Sequence, residues 1–335
     1  MTTRIAVLGA GAWGTALALH LAQRRDLAVT LYARDAQQTA RMQRERENAR
    51  YLPGAALPPA LALTSELRDL ASAELLVAAT PMAALPDLAA ALHDTYGTVP
   101  LVWLSKGFVA ASAARFPCGV ALAHEVIAPS WKAPVGVISG PSFAEEVARR
   151  LPTAVTVAAT APALAQRVAA LTRADTLRAY VSEDIVGVEV GGAVKNVLAI
   201  AAGASDGLGF GHNARAALIT RGLAETGRLS QALGGARETL MGLAGLGDLV
   251  LTCTGDLSRN RRVGLALAQG KRLPEILREL GHVAEGVTAA SAVRALAGHH
   301  GIDMPICEAV DRVLHEDLPP RKAVEALLRR EPRAE

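Results

Sequence analysis

A lysine among small apolar residues offers the first recognisable chemistry in this sequence. Lys195 lies in the run 188–196, where its neighbours are mainly valine, alanine and glycine. Such a lysine either extends its ammonium group to water or is partly desolvated, and desolvation lowers the pKa of an ammonium group. A lysine that titrates near neutral pH can donate or accept a proton. Asn196 can donate a hydrogen bond and Asp248 can fix the ammonium group, so we predict that these three residues act together.

The stretch over residues 258–262 indicates an anion-binding site. Ser258 is expected to cap a helix over residues 259–269. Arg259 and Asn260 would then lie where backbone N–H groups are free, and arginine offers a bidentate fork to an oxyanion. The alternative is a basic helix start on the surface, which the helix dipole disfavours. Because that misfit calls for a counter-anion, we favour a bound ligand.

A further cation, Lys106, follows an apolar run over residues 99–104 that is typical of a buried strand. In open α/β sheets, ligands bind outside the carboxyl ends of the strands. Lys106 therefore suits an anionic substrate, and the alternative is an ordinary surface lysine.

Near the N-terminus, three glycines form the pattern G-x-G-x-x-G. Gly9, Gly11 and Gly14 follow an apolar run over residues 5–8 and lead into an Ala/Leu-rich helix over residues 15–21. In a dinucleotide-binding loop the first glycine permits a tight turn, the second lets a pyrophosphate approach, and the third lets the helix pack on the strand. The alternative is a purely structural turn. The flanking strand and helix favour a dinucleotide.

The end of the second predicted strand, residues 28–32, bears on the choice of nucleotide. An acidic side chain there binds the ribose hydroxyls of NAD, whereas an arginine accommodates the extra phosphate of NADP. Arg34 therefore favours NADPH, or the use of both nucleotides, and Asp35 beside it keeps that preference modest. The alternative is a solvated strand end without a role in binding.

Apolar runs and helical patterns alternate over the first 180 residues and must position these groups. The runs cover residues 5–8, 28–32, 75–79, 99–104, 135–138, 154–158 and 176–180. This alternation predicts an α/β fold with a doubly wound, Rossmann-type parallel sheet. Strand signals stop at Ser182. We predict a dinucleotide-binding domain over residues 1–181 and an all-α substrate and catalytic domain over residues 182–335.

Four local structures are predicted around these motifs. Residues 36–50 should form a polar helix, followed by a turn over residues 51–54. Ser142 and Glu145 have the spacing of a capping box, so Ser142 would start a helix. Residues 242–248 should form a glycine-rich loop that carries Asp248. Residues 282–287 should form a turn that carries Glu285.

Composition disfavours several classes of protein. The net charge is only +3 and no basic run is interleaved with aromatic residues, so we expect no nucleic-acid partner. No stretch approaches 18 uninterrupted apolar residues and no signal peptide is recognisable, so we expect no membrane insertion. The three cysteines are scattered and the eight histidines lack metal-ligand spacing. Neither a disulfide framework nor a metal site is expected, which fits the cytoplasm.

Seven motifs, in order, resemble those of the bacterial NAD(P)-dependent sn-glycerol-3-phosphate dehydrogenases, and the resemblance runs from Ile5 to about Leu328. The motifs are GAGAWGTALA at 9–18, SKG at 105–107, SGPSFA at 139–144, GAVKN at 192–196, GLGDL at 245–249, SRN at 258–260 and EG at 285–286. One position departs from the family pattern. Ala12 stands where many members carry serine, so a hydroxyl contact to the phosphates is absent, although backbone contacts could remain.

The resemblance implies that Lys195 donates or accepts the proton when dihydroxyacetone phosphate and glycerol 3-phosphate are interconverted. The implied substrate contacts are Lys106, Gly140, Ser142, Lys195, Asp248, Ser258, Arg259 and Asn260. The implied cofactor contacts, besides the three loop glycines, are Ala12, Trp13, Arg34, Lys106, Ala144, Arg259, Val283 and Glu285. The resemblance also implies a cytoplasmic role in supplying glycerol 3-phosphate for phospholipid synthesis. A homodimer is one assembly that we consider.

Two other functions remain open from the sequence. A dehydrogenase with the same plan could act on a hydroxy acid, and it should not need Arg259 for a phosphate. A nucleotide-sensing protein without turnover would have no use for a desolvated Lys195 next to Asn196.

Overall fold

The computed structural model describes residues 2–281 and 284–331, and the chain groups into two compact units. The first unit comprises residues 1–105 and 123–185, and the second comprises residues 106–122 and 186–335. The predicted boundary near residue 181 lies close to the last transition, but two contiguous domains do not account for residues 106–122. This segment belongs to the second unit because Leu122 is buried in that unit's hydrophobic core, against which Phe108 and Val120 also pack.

The strands are short, as expected from the apolar runs. In chain order they are β1 (Thr3–Leu8), β2 (Leu27–Tyr32), β3 (Glu47–Asn48), β4 (Leu52–Ala56), β5 (Ala62–Thr64), β6 (Leu75–Ala78), β7 (Leu101–Trp103), β8 (Val109–Ala110), β9 (Val120–Ala121), β10 (Val135–Ser139), β11 (Thr153–Ala159) and β12 (Leu177–Ser182). Strands β8 and β9 pair as an antiparallel ribbon within the second unit, and the other strands belong to the first.

The main sheet of the first unit has the strand order β12-β11-β10-β7-β6-β1-β2-β5. Strand β1 lies between β2 and β6, both parallel to it, so the winding changes direction at β1. In a doubly wound sheet this switch point is where ligands bind, outside the carboxyl ends of the strands. The predicted Rossmann-type fold is confirmed. The sheet is not wholly parallel, however, because β10 and β11 pair antiparallel.

Helices cover the first unit's sheet and make up most of the second unit. Those of the first unit are α1 (Ala12–Leu21), α2 (Ala36–Glu45), α3 (Leu85–Tyr96), α4 (Ala123–Ile127), α5 (Ala144–Ala148) and α6 (Pro162–Thr172). The remaining helices are α7 (Ile185–Gly207), α8 (Gly211–Ala232), α9 (Asp248–Thr254), α10 (Arg259–Ala268), α11 (Leu273–Leu280), α12 (Glu285–His299), α13 (Pro305–His315) and α14 (Pro320–Leu328).

The polar helix predicted over residues 36–50 is shorter than expected. Helix α2 ends at Glu45 because Arg46 adopts a left-handed conformation, with φ of 49°. The chain then forms the antiparallel hairpin β3–β4, so the turn predicted over residues 51–54 falls largely within β4. This hairpin places a short strand where the sequence pattern indicated another turn of helix.

Helix α7 forms the centre of the second unit. It is long and apolar enough to cross a membrane by length and hydropathy, but 89% of its most apolar window is buried within the protein. Burial of this kind is the pattern of a core helix in a globular fold. It carries Lys195 and Asn196, and both side chains are buried.

Candidate active site

The three loop glycines of the first unit each occupy a position that requires glycine or leaves the backbone open. Gly9 adopts φ of +117°, which permits the turn after β1. A Cβ at Gly14 would lie 2.0 Å from the carbonyl oxygen of Gly9, so the close packing of α1 against the loop excludes any side chain there. A Cβ at Gly11 would meet nothing within 4 Å. The backbone at Gly11 is therefore accessible to a ligand.

The start of helix α1 suits a pyrophosphate. Gly11 is the N-cap residue and no side chain caps the helix. The first N–H groups of a helix carry partial positive charge and bind anions readily. At the carboxyl edge of the same sheet, the hydroxyls of Thr80 after β6 and Ser139 in β10 are buried without a hydrogen-bond partner among the described residues. An accessible loop, a free helix start and unpaired hydroxyls fit a bound dinucleotide.

Trp13 and Ser142 lie together in the first unit, because the indole Nε1 donates a hydrogen bond to the carbonyl oxygen of Ser142 at 2.9 Å. The predicted capping box is wrong. Helix α5 begins at Ala144 with Phe143 as its N-cap and has no side-chain cap. The Ser142 hydroxyl instead donates to the carbonyl oxygen of Gly140 at 2.9 Å. Gly140 itself has φ of +130°, so this turn favours glycine.

At the end of β2, Asp35 and Arg34 have different surroundings. The Asp35 carboxylate caps helix α2 by accepting hydrogen bonds from the backbone N–H groups of Gln37 at 2.9 Å and Gln38 at 3.1 Å. Arg34 is exposed and makes no hydrogen bond or ion pair with the described residues. Asp35 is thus committed to the helix, while the Arg34 guanidinium is available to a ligand.

In the second unit, one buried carboxylate binds two lysines. Asp248 is 1% exposed, and its Oδ2 accepts a hydrogen bond from Lys106 Nζ at 2.6 Å. Its Oδ1 accepts from Lys195 Nζ. Lys195 is 8% exposed, so the desolvation inferred from its neighbours is confirmed. This cluster, defined as Lys106, Asp248 and Lys195, carries a net positive charge in a largely dry environment.

The pKa values of the cluster follow from this geometry. Burial, reinforced by the neighbouring charge of Lys106, lowers the pKa of Lys195 to about 8 even though Asp248 favours the charged form. Burial alone would raise the pKa of Asp248, but the two ammonium groups outweigh it and hold that pKa below its ordinary value. At neutral pH the site therefore holds an ionised carboxylate beside a lysine that can release its proton.

Thr252 contacts this cluster and was not predicted from the sequence. Its hydroxyl accepts a hydrogen bond from Lys195 Nζ at 2.9 Å and donates to the carbonyl oxygen of Asp248 at 2.6 Å. The signal that could have found it is its spacing, because residues i and i+4 share one face of a helix. Thr252 limits the rotation of the Lys195 ammonium group by holding it from a second side.

The predicted glycine-rich loop before Asp248 is instead a π-helical turn over Leu243–Gly247, and α9 starts at Asp248 itself. A Cβ at Gly191 of helix α7 would lie 2.6 Å from the carbonyl oxygen of Ala244 in this turn. Gly191 therefore lets α7 approach the π-helical turn closely. Such turns occur often at functional sites.

A chain of amides connects three helices of the second unit. Asn260 Nδ2 donates to Asn196 Oδ1 at 2.9 Å, and Asn260 Oδ1 accepts from the backbone N–H of Gly286 at 3.1 Å. Asn196 Nδ2 in turn donates to the carbonyl oxygen of Lys106 at 3.3 Å. The motifs around residues 106, 196, 260 and 286 are thus brought together within one unit.

Helix α10 starts as predicted, with the Ser258 hydroxyl accepting from the backbone N–H of Arg261 at 3.2 Å. Arg259 at its first position is exposed and has no carboxylate partner among the described residues. The turn predicted around Glu285 is wrong, because Glu285 begins helix α12. Val283, predicted to contact the cofactor, lies outside the described residues.

Comparison with known proteins agrees with both units. A family model described as the NAD-dependent glycerol-3-phosphate dehydrogenase N-terminus matches residues 4–165, and the corresponding C-terminus model matches residues 184–325. A glycerol-3-phosphate dehydrogenase (NAD(P)+) from Aromatoleum aromaticum is 57% identical over 99% of this chain and 100% of its own length. A protein of the same name from Janthinobacterium is 54% identical over 99% of both chains.

A solved structure shows the same likeness in three dimensions. The crystal structure of glycerol-3-phosphate dehydrogenase from Coxiella burnetii is 43% identical, covers 98% of this chain and 99% of its own, and superposes with a TM-score of 0.92. On sequence and on structure, this chain belongs to the NAD-dependent glycerol-3-phosphate dehydrogenase family.

Proposed function

We propose that the chain is an oxidoreductase that interconverts dihydroxyacetone phosphate and sn-glycerol 3-phosphate with NAD(P)H. The observation that carries the chemistry is the buried cluster of Lys106, Asp248 and Lys195. It holds one lysine whose pKa lies near neutrality and an excess of positive charge for a phosphorylated substrate. A sensor without turnover would gain nothing from keeping an ammonium group in this environment.

When bound, the dinucleotide supplies or accepts a hydride at the substrate carbon. In the reductive direction Lys195 Nζ donates a proton to the carbonyl oxygen, so that hydride and proton together convert the ketone into the alcohol. Asp248 and Thr252 keep Nζ in place. Asn196 is held by Asn260 through its Oδ1, and its Nδ2 would exchange the long hydrogen bond to the Lys106 carbonyl for one to the reacting oxygen. In the oxidative direction neutral Lys195 takes the proton back.

Binding of the substrate is assigned to cations, to the start of helix α10 and to the turn at Gly140. The proposed contacts are Lys106, Gly140, Ser142, Lys195, Asp248, Ser258, Arg259 and Asn260. An exposed arginine at a helix N-terminus fits a phosphate, since the guanidinium and the helix N–H groups both favour an anion.

Binding of the dinucleotide is assigned to the glycine loop and to residues placed by the family pattern. The proposed contacts are Gly9, Gly11, Ala12, Trp13, Gly14, Arg34, Lys106, Ala144, Arg259, Val283 and Glu285. The exposed guanidinium of Arg34, with Asp35 occupied as a helix cap, supports a preference for NADPH over NADH.

The proposed cellular setting follows from the reaction and the composition. The three cysteines are free thiols, which suits a reducing cytoplasm. A cytoplasmic enzyme making glycerol 3-phosphate would supply phospholipid synthesis. We propose that it works without membrane insertion, and as a homodimer, an assembly that sedimentation of the purified enzyme can test.

The decisive experiment follows NADPH absorbance with dihydroxyacetone phosphate, with NADH in parallel and with a non-phosphorylated keto acid as the control substrate. We expect turnover with the phosphate ester alone. Lys195→Ala should lower kcat by several orders of magnitude, with cofactor affinity nearly intact. Turnover with the keto acid instead would show that the protein is a hydroxy-acid dehydrogenase. Cofactor binding without turnover on any substrate would favour a sensor.

Arg259 can be tested with a matched variant on the same helix. Arg259→Ala should raise KM for dihydroxyacetone phosphate about tenfold or more, because it removes a charged phosphate contact. Arg262 is also exposed on α10, and Arg262→Ala serves as the control with little expected change. An unchanged KM in Arg259→Ala would remove this residue from the phosphate site.

A further inference from the structure

A buried asparagine lies directly behind the glycine loop of the first unit. Asn48, in strand β3, is 1% exposed. Its Nδ2 donates hydrogen bonds to the carbonyl oxygen of Ala10 at 2.9 Å and to the hydroxyl of Thr15 at 2.8 Å. One amide group therefore connects the middle of the loop with the first turns of helix α1.

A second amide supports the same carbonyl. Gln38 Nε2, on helix α2, donates to the carbonyl oxygen of Ala10 at 3.1 Å and to Asn48 Oδ1 at 3.4 Å. Both donors of Asn48 and its acceptor are thus engaged. A buried polar group that is fully hydrogen-bonded fixes its surroundings, and losing one partner leaves another unpaired.

The hairpin that carries Asn48 is itself held firmly. Arg46 ends helix α2 in a left-handed conformation, and its guanidinium donates to the carbonyl oxygens of Leu57 at 3.2 Å and Leu61 at 3.0 Å. The Glu47 carboxylate accepts from the backbone N–H of Gly54 at 2.7 Å. These bonds tie both ends of the hairpin, so Asn48 is presented on a fixed support.

The consequence for the loop follows from peptide geometry. In a planar trans peptide the C=O and the following N–H point in opposite directions. Asn48 and Gln38 hold the carbonyl of Ala10 on the protein side, which turns the N–H of Gly11 away from them. That N–H belongs to the glycine with open space around it. The amide pair therefore determines the direction in which this donor points.

We infer that Asn48 is a positioning residue for the dinucleotide pyrophosphate, acting through the Ala10–Gly11 peptide rather than by touching the ligand. The inference rests on the proposed dinucleotide role of the loop. It adds a residue outside the glycine motif, on a hairpin, to the part of the protein that determines cofactor affinity.

The test is binding of ADP-ribose, which contains the pyrophosphate, to the full chain by calorimetry, together with steady-state kinetics. Asn48→Asp keeps the shape of the side chain but replaces both donors by an oxygen that repels the Ala10 carbonyl. We expect Kd for ADP-ribose and KM for NADPH to rise about tenfold or more. At saturating NADPH, kcat and KM for dihydroxyacetone phosphate should stay within about twofold.

Two further variants separate positioning from a general loss of stability. Gln38→Leu removes the other bond to Ala10 from a partly exposed site, and Kd should rise by a smaller factor, about threefold. Tyr96→Phe removes a partly buried hydrogen bond to the Leu67 carbonyl elsewhere in the same unit, and it should lower Tm without changing Kd. Unchanged Kd in both Asn48→Asp and Gln38→Leu would overturn the inference. Failure of the unaltered protein to bind ADP-ribose would instead overturn the proposed function.

Discussion

Lys195 shares the Asp248 carboxylate with Lys106, and this sharing determines at which pH it can work. An isolated ion pair would hold the lysine protonated well above neutrality. Here burial and the second ammonium group lower the pKa of Lys195 to about 8. The lysine can therefore exist in either protonation state under ordinary conditions, as a reversible proton donor must.

This arrangement predicts opposite pH profiles for the two directions. Reduction needs protonated Lys195, so kcat should fall as pH rises through about 8, whereas oxidation needs the neutral amine and should rise over the same range. Both are measured from the initial change in NADPH absorbance across a pH series. Lys195→Arg, which stays protonated, should lose this transition. A transition at the same pH in that variant would show that another group titrates.

At this scale the sequence predicted residues whose surroundings are local and missed those defined by tertiary contacts. Lys195 was found because its own helix supplies its apolar neighbours, and Ser258 because capping involves the next three residues. In the sequence Asn48 is an ordinary polar residue. Only the hairpin brings it into contact with Thr15, which lies 33 residues earlier in the chain. Nothing in its flanking sequence specifies that contact.

Among the secondary-structure elements, the π-helical turn before α9 packs against α7 at a position where α7 has no Cβ atom, Gly191. Gly191→Ala should push α7 and this turn apart, because the new methyl group would lie 2.6 Å from the Ala244 carbonyl oxygen. We expect a lower Tm and a lower kcat, since Lys195 and Asp248 lie on the two sides of this contact. The measurements are thermal unfolding and turnover with NADPH and dihydroxyacetone phosphate.

Gly298→Ala is the matched control, because a Cβ at this position of α12 would meet nothing within 4 Å. Replacing a helical glycine by alanine is stabilising by up to about 0.5–1 kcal/mol where there is room, and less near a helix end such as that of α12. Tm should therefore rise slightly in Gly298→Ala with kcat unchanged. If Gly191→Ala behaved in the same way, close packing at the π-helical turn would not matter.

The start of helix α13 is hydrogen-bonded to a carboxyl group of α8 whose protonation depends on pH. The Glu225 carboxylate, buried on α8, accepts hydrogen bonds from the backbone N–H groups of Ile306 at 2.8 Å and Cys307 at 3.2 Å at the start of α13. Burial raises the pKa of Glu225 from 4.5 to about 7, although these hydrogen bonds favour the ionised form. The folded protein thus holds a proton that the unfolded chain releases.

The sign of the effect follows from proton binding. Between about pH 4.5 and pH 7 the folded state binds more protons at this site, so its contribution to stability falls as pH rises, by a total on the order of 3 kcal/mol. Glu225→Gln has no proton to lose and should remove this slope. Urea unfolding of both proteins at pH 5 and pH 7 measures it. Equal slopes would show that Glu225 does not titrate in this range.

Periodicity identified most strands and helices but not their irregular ends. The apolar runs of β1, β2 and β6 specified buried strands with little ambiguity. The extension of α2 to residue 50 was wrong because a single left-handed residue, Arg46, ends it, and an arginine carries no sequence signal for that conformation. The π-helical turn was similarly hidden by its glycines, which are usual in loops.

For the whole molecule, the order of strands and helices predicted the fold class, and the family relationship confirms it. The packing of residues 106–122 with the second unit could not be predicted in the same way. Those residues contain only two short strands, and the hydrophobic core that buries Leu122 is built mainly by helices that begin more than sixty residues later.

The packing of residues 106–122 with the second unit has a consequence for a chain emerging from the ribosome. The polypeptide changes unit after residues 105, 122 and 185, so a nascent chain that has completed its sheet still carries the β8–β9 ribbon without its hydrophobic partners. A fragment of residues 1–185 should therefore be cut by protease within 106–122, whereas the full chain resists there. Equal resistance would mean that the ribbon is protected before its helices exist. If the fragment is cut there, Leu122 stays without its hydrophobic partners until more than sixty further residues have been synthesised.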